Sequence, residues 1–463
     1  MDNNRFGKNH HHLYNEMHKS EEGVDSEHVS PFKSTFIKTD LYYTTPIKMK
    51  CTADGDGSTV SYSVDHTQDY LVDSELRANF PSAEVLPEYR DTHQICYPHN
   101  MMNNIVKVAY FEAKKMKIQT MDTVGYDFMS QWYSDNSKST VTQAEMGNTP
   151  ELEEWNTVLP ARKLAAFQPW FYTEDVSFAW PIYYGKHFSK ATHHYEFRRN
   201  VFELLRMRVR DGDKVKIIVD PEEIKKYVKI KGKDQILPEL WGWFAKADRE
   251  NPDMNMSCNK GHKYLIRDIV ACDSTQVGTY GSNLIVPLKS SSPCFAIMWA
   301  AENRKATASG CFSNYTTDKE NIDSGLNPID TVGFSISQAG IKMSGIDGQI
   351  FTRSRVGFTS NPTDAGHHAY LFSYYKMNID PSPGVVFQDG DYLECRLYNG
   401  VDNGEYIEDD AESLFTDDMS VATKEQIVKG TDTTFKIRAR LLVSKILRIF
   451  YDEPSKLYDF ELK

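Results

Sequence analysis

Histidines and paired carboxylates are the side chains in this sequence best suited to chemistry, and their spacing argues against it. A strand-borne metal site of the cupin kind needs His-x-His, a carboxylate and a later histidine, so that the ligands share one face. His193-His194-Tyr-Glu196 puts the two imidazoles on adjacent residues, which a strand points to opposite faces. His93, His99 and His187 complete no ligand pattern, and His10 to His12 are read as part of a solvated polar tail. His367-His368 follows the turn-rich Thr363-Asp-Ala-Gly366, which predicts a turn entering a strand with one imidazole packed or hydrogen-bonded. No Gly-x-Ser-x-Gly elbow, phosphate loop or His-Glu-x-x-His helix is present. Gly278-Thr-Tyr-Gly281 is too short and too polar to cradle a phosphate, and Glu153-Glu154 reads as a solvated loop pair. No catalytic, cofactor-binding or metal residue is therefore nominated, and no cofactor is expected, although spatial sites need not be local in sequence.

The elements that would position such residues are mainly strands. The 463 residues suffice for two or three domains, with 40% apolar and 25% charged residues, as in globular chains. The 26 Tyr, 24 Phe and 7 Trp favour pleated surfaces and large buried interfaces. A net charge of −12 disfavours general nucleic-acid binding. The local run Lys225, Lys226, Lys229, Lys231 and Lys233 is read as a solvated loop. Seven scattered cysteines (51, 96, 258, 272, 294, 311 and 395) form no Cys-x-x-Cys pair and suit a reducing compartment. No apolar run is long enough to span a membrane, and no secretory leader is seen. Without one, the sequons at Asn255 and Asn314 are read as chance.

Residues 1–33 are polar and read as a flexible arm. Short strand patterns follow, among them Val60–Val64, Tyr70–Val72, Ile105–Phe111, Lys117–Gln119, Leu164–Phe167, Trp170–Tyr172, Ala179–Tyr184 and Lys214–Val219. Met121, Val124, Phe128 and Trp132 lie on one helical face, with Thr120 or Thr123 as its cap and Asp122 in its first turn. Phe197–Val209 fits either a helix or a strand. A polar, lysine-rich connection over 220–236 suggests a domain boundary. The second half repeats the style, with Tyr264–Val270, Asn283–Val286, Cys294–Trp299, Tyr370–Phe372, Tyr392–Leu397 and Phe435–Val443. In the last, Phe435, Ile437, Ala439, Leu441 and Val443 share one face and Lys436, Arg438 and Arg440 the other. No short repeat is visible.

Taken in order, several of these stretches resemble the major capsid proteins of nucleocytoplasmic large DNA viruses, most closely the iridovirus branch. Asn103-Asn-Ile-Val106, Met146-Gly-Asn-Thr149, Val158-Leu-Pro-Ala-Arg-Lys-Leu164 and Trp170-Phe-Tyr172 carry the likeness in the first half. Arg267-Asp-Ile-Val270, Phe295–Asn303, Ser313-Asn-Tyr-Thr316, Gly366-His-His-Ala-Tyr370, Asp380-Pro-Ser-Pro-Gly384 and Lys445-Ile-Leu-Arg-Ile449 carry it in the second. The order is collinear from about residue 100 to 450. Where the family often has Pro-Ser-Gly, this chain reads Pro381-Ser-Pro-Gly384, and 405–423 is an acidic insertion.

The resemblance implies an all-β fold: two tandem eight-stranded antiparallel jelly rolls with a few short helices in loops. It divides the chain into an arm over 1–35, a first jelly roll over 36–233, a second over 234–452 and a tail over 453–463. It makes Leu240–Lys246 the first strand of the second domain and favours strand at Phe197–Val209. It implies a structural protein assembling as homotrimeric, pseudo-hexagonal capsomers of an icosahedral shell, with residues 134–157, 304–330 and 400–430 as exposed loops. The partners it implies are further copies, neighbouring capsomers, minor capsid and penton proteins and internal membrane proteins, with no direct nucleic-acid contact. The location is the virion, assembled in the host cytoplasm. The alternatives are a minor or penton-type capsid or scaffold paralogue, or a jelly-roll carbohydrate-binding protein.

Overall fold

The computed structural model describes residues 42–53, 59–64, 70–113, 115–132, 139–170, 180–181, 191–212, 214–247, 262–318, 322, 325–351, 367–371, 384–398, 433–452 and 457–462. The arm expected over 1–35 lies outside them, as do His10 to His12, His187, Asn255, Cys258 and residues 400–430.

Eight strands build a first barrel: β1 (Tyr42–Lys48), β2 (Thr59–Ser63), β3 (Tyr70–Phe80), β4 (Val106–Ala113), β5 (Met116–Asp122), β6 (Arg162–Phe167), β7 (Ala191–Phe197) and β8 (Glu239–Ala247). Eight more build a second: β9 (His262–Asp273), β10 (Asn283–Pro287), β11 (Cys294–Asn303), β12 (Ile329–Ile336), β13 (Ile341–Asp347), β14 (His368–Leu371), β15 (Tyr392–Leu397) and β16 (Phe435–Asp452). Apart from the short flanking strands Lys50–Ala53 on β2, Trp180–Pro181 on β3 and Leu457–Leu462 on β16, the sheets of the first barrel run β1-β8-β3-β6 and β2-β7-β4-β5; those of the second run β9-β16-β11-β14 and β10-β15-β12-β13. Adding eight to each number of the first barrel reproduces the second. All these pairings are antiparallel, and the fold is a double jelly roll.

The strand order corrects the domain boundary. Residues 239–247 do not open the second barrel but close the first, since β8 slots between β1 and β3. Ile236, Leu240 and Phe244 lie in the first barrel's core, so the boundary falls after residue 247 rather than at 233. The lysine-rich connection is also more ordered than a loop. Asp220 caps a one-turn helix over Pro221–Ile224, and Val228–Lys231 pairs with Ser82–Val85, burying Ile224 and Val228 while the five lysines stay exposed. Phe197–Val209 is neither one strand nor one helix: β7 ends at Phe197, Val201–Leu204 makes a turn of helix, and Arg206–Asp211 is a separate strand. Beyond residue 452 the tail is not free of structure, because Leu457–Leu462 pairs with the end of β16.

Side-chain alternation explains most strands. β7 is strictly alternating, with Ala191, His193, Tyr195 and Phe197 inward. β11 breaks the rule, since all ten of its residues are buried. Ile297, Trp299 and Ala301 face the second core, whereas Ala296, Met298 and Ala300 face the first. β16 does likewise: Phe435, Ile437, Ala439, Leu441 and Val443 line the second core, and Leu442 and Leu447 join the first. The two barrels are thus welded through shared strands. A strand buried on both faces reads as a continuous apolar run, which is why Cys294–Ala301 carries no polar residue.

Candidate functional site

A cluster of charged and polar groups lies along this weld. Helix α1 (Thr123–Trp132) follows β5, and its cap is Asp122 rather than Thr120 or Thr123: Asp122 Oδ1 accepts the Gly125 N–H at 2.8 Å. Thr123 instead donates to the Val106 carbonyl. The same Asp122 carboxylate crosses to the second barrel, where Arg440 donates Nε to Oδ1 at 3.1 Å and Nη2 to Oδ2. Arg440 is 2% exposed and also donates Nη1 to Asp273 Oδ1 at 2.9 Å and to the Ala439 carbonyl. Arg438 links Asp273 to Glu302. Burial alone would raise the Asp273 carboxyl, but Arg440 and then Arg438 outweigh it and hold it below the usual carboxylate range. Burial likewise opposes the charged form of Arg438 and Arg440, and their carboxylate partners raise both above the ordinary value. The Thr120 N–H donates to Asp268 Oδ1, while Lys445 binds Oδ2.

A second polar cluster sits beside the first. Asp127, on α1, is buried; its carboxylate accepts from Asn103 at 2.9 Å, from Asn100 at 3.3 Å and, across the weld, from the Tyr315 hydroxyl at 2.9 Å. Desolvation raises its pKa, against those hydrogen bonds. Asn104 donates to Ser313 Oγ at 2.9 Å, Arg206 donates to the Ser309 carbonyl at 2.7 Å, and the Arg198 guanidinium stacks over Phe312. Residues 309–318 therefore plug into the first barrel. The expectation that 304–330 is an exposed loop is corrected here, since Ser313, Asn314, Tyr315, Thr316 and Asp318 are all buried. The stretch is polar and still buried because these groups are satisfied internally. The Asn314 sequon is part of this plug: its Oδ1 accepts the Thr316 N–H and hydroxyl, and its Nδ2 donates to the Asp318 carbonyl, so no glycan can be attached to the folded chain there.

The structure scatters the histidines weighed above. His193 lies in the first core against Phe111 and Trp170, whereas His194 stacks on Tyr110 on the opposite face and bonds Ser61, as strand parity requires. His93 packs on Tyr89 and Tyr227, and His99 bonds Glu153 at 2.7 Å. His368 enters β14, stacks on Trp299 and meets Asn327; His367 is enclosed by Phe128 and Tyr315 at the weld. Burial, then the neighbouring histidine, lowers the pKa of His193 and of His367 to about 3. Gly278 forms a bridge to Phe435, on whose ring Tyr280 packs. Among the described residues no group of three His, Cys, Asp or Glu side chains is placed to hold a metal ion, and no helix is long and apolar enough to cross a membrane.

No family model matches the chain. The major capsid protein of Wiseana iridescent virus is 23% identical over 354 residues, covering 70% of this chain and 69% of the relative. That of Frog virus 3 is 26% identical over 136 residues, 27% of this chain and 29% of the relative. Among solved structures, PBCV-1 VP54, fitted into a reconstruction of the virophage Sputnik, superposes with a TM-score of 0.64 at 12% identity, covering 93% of this chain and 99% of that one. In sequence the chain resembles the iridescent-virus major capsid proteins, and in fold it resembles PBCV-1 VP54. The likeness in fold to PBCV-1 VP54 covers both barrels.

Proposed function

We propose that this chain is the major shell protein of a large icosahedral DNA virus, a structural component and not an enzyme. The observation that carries the reading is the repeated strand order within one chain, fixed by the weld into a single block. Two equivalent barrels per chain and three chains per ring make a six-sided capsomer from a three-fold oligomer, a unit that tiles flat facets. The capsid relatives support the class of function. In this reading the chain resides in the virion after assembly in the host cytoplasm. It contacts neighbouring capsomers, minor capsid and penton proteins and internal membrane proteins, and the genome not directly. Light scattering on the purified chain tests it: a particle of three times the 53.1 kDa chain mass is expected. A monomer that binds or hydrolyses a sugar refutes it, and tens rather than thousands of copies per virion would assign the minor role.

A further inference from the structure

The chain carries a net charge of −12, yet the connection from β7 to β8, residues 198–238, holds 12 Lys and Arg against 7 Asp and Glu. Three arginines of this connection share one strand and one face. Arg206, Arg208 and Arg210 alternate along Arg206–Asp211, the middle strand of a small sheet with His93–Cys96 and Lys214–Ile218. The lysines lie apart from them, on and around Val228–Lys231, and are partly neutralised: Lys231 pairs with Glu84 at 2.9 Å and Lys225 with Glu222 at 2.6 Å. Among the described residues no carboxylate pairs with any of the three arginines.

The row runs from solvent into the protein. Arg210 is exposed, Arg208 is half-buried and Arg206 is buried. Arg206 donates Nε to the Ser309 carbonyl at 2.7 Å, while its Nη2 is enclosed with no hydrogen-bond acceptor among the described residues. Arg208 donates to Gln94 Oε1. The two guanidinium carbons lie 5.2 and 5.0 Å from the centre of the Trp155 ring, so one indole orients both groups. Val215, the partner of Arg210 on the neighbouring strand, is 51% exposed, which leaves the outer end of the row open to solvent. Alternate residues of a strand stand about 6.7 Å apart. Three cations at that spacing, without an acid to neutralise them, reinforce one another's positive potential.

We propose that Arg208 and Arg210, backed by the charge of Arg206, bind the sulfate groups of an extended sulfated polysaccharide. A guanidinium is a planar, weakly hydrated cation whose paired N–H donors match an oxyanion, and a sulfate ester offers several acceptor oxygens to neighbouring forks. The surroundings decide the form of the polyanion. Asp91, Glu154 and Asp211 are exposed beside the row: Asp91 precedes Thr92, whose carbonyl accepts the Arg210 N–H, and Glu154 precedes Trp155. A flat anionic membrane or a nucleic-acid duplex broad enough to cover the row also meets these carboxylates and is repelled. A single narrow polymer lies along the row between them. Single-stranded nucleic acid is narrow too, but its bases need free aromatic faces, and the Trp155 indole is already engaged by two guanidinium groups. This binding site goes beyond the shell function proposed above and does not depend on it.

The test is fluorescence anisotropy of labelled heparin titrated with the full chain at fixed ionic strength. The wild type is compared with Arg208→Gln/Arg210→Gln and with the control Lys229→Gln/Lys233→Gln, which removes the same charge from the same connection; circular dichroism confirms that each is folded. The arginine pair should lose on the order of tenfold or more in affinity, because hydrogen bonds to charged groups are the strong ones. The lysine pair should change it about twofold or less, the effect of screened charges away from the ligand. Equal losses from both pairs, or no heparin binding by the wild type, refute the site. Hyaluronate, which has no sulfate, phosphatidylserine–phosphatidylcholine vesicles and duplex DNA should each bind more weakly than heparin, and equal binding of any of them overturns the assignment of the ligand. Inorganic sulfate that displaces heparin at the same molar concentration of sulfate groups reveals a site for the lone ion and overturns the polysaccharide.

Discussion

Replacing Arg440 with methionine tests the weld directly. The guanidinium is 2% exposed and spans Asp122 on one barrel and Asp273 on the other. Methionine keeps much of the stem and removes the charge, which leaves two carboxylates facing each other across the weld. Removing one partner of a buried pair costs about 3–5 kcal/mol. Asp122 and Asp273 retain side-chain exposures of 33% and 26%, so water takes up part of the loss. The expected cost is therefore at the lower end, about 3 kcal/mol. Urea unfolding at fixed protein concentration, followed by tryptophan fluorescence and far-ultraviolet circular dichroism, measures it. A cycle with Asp122→Asn should return a coupling above about 1 kcal/mol, because the two residues are in direct contact. If Arg440→Met falls within about 0.5 kcal/mol of the parent, the size of an ordinary surface change, the weld does not hold the barrels together and the reasoning fails.

Two further outcomes concern the first barrel's core and the weld. His193 and His367, both lowered to about 3 by burial, stay neutral in the folded chain at pH values where the unfolded chain, near 6.5, has taken up protons. Their stabilisation is complete above about pH 6.5 and is lost as pH falls toward 3, at up to about 1.4 kcal/mol per pH unit for each histidine. Denaturation curves at steps between pH 6.5 and pH 4.5 should show this decline, and His367→Phe should flatten it; an unchanged slope contradicts the assignment. Tyr315→Phe removes the hydroxyl that donates to Asp127 and should cost about 1–3 kcal/mol, the penalty of an under-satisfied buried acceptor, measured by the same unfolding experiment.

The sequence shows most clearly those strands whose pattern is local. The parity of Phe435–Val443 correctly separates the core face from Lys436, Arg438 and Arg440, and adjacency alone sets His193 and His194 on opposite faces. What escapes is non-local. β8 pairs with strands far earlier in the chain, and nothing in Glu239–Ala247 marks it as a closing strand rather than an opening one. The kinship of β5 and β13 survives in apolar placement and two charged positions, too little for a repeat to be seen before the fold aligns them. The Asn314 plug is disguised by its own polarity, because only the folded contacts show that Ser313, Tyr315 and Asp318 are satisfied inside.

The doubly buried β11 bears on how the protein is made. Phe295–Ala301 is a run of seven apolar residues without charge or proline, the composition of a segment that associates with its own kind when left bare. Its neighbour β16 is encoded near the far end of the chain, so on the ribosome this strand emerges well before the partner that covers it. The nascent chain passes through an interval in which this segment is finished and the strand that covers it is not. The longer the interval between the synthesis of residue 303 and that of residue 452, the longer this segment is open to self-association.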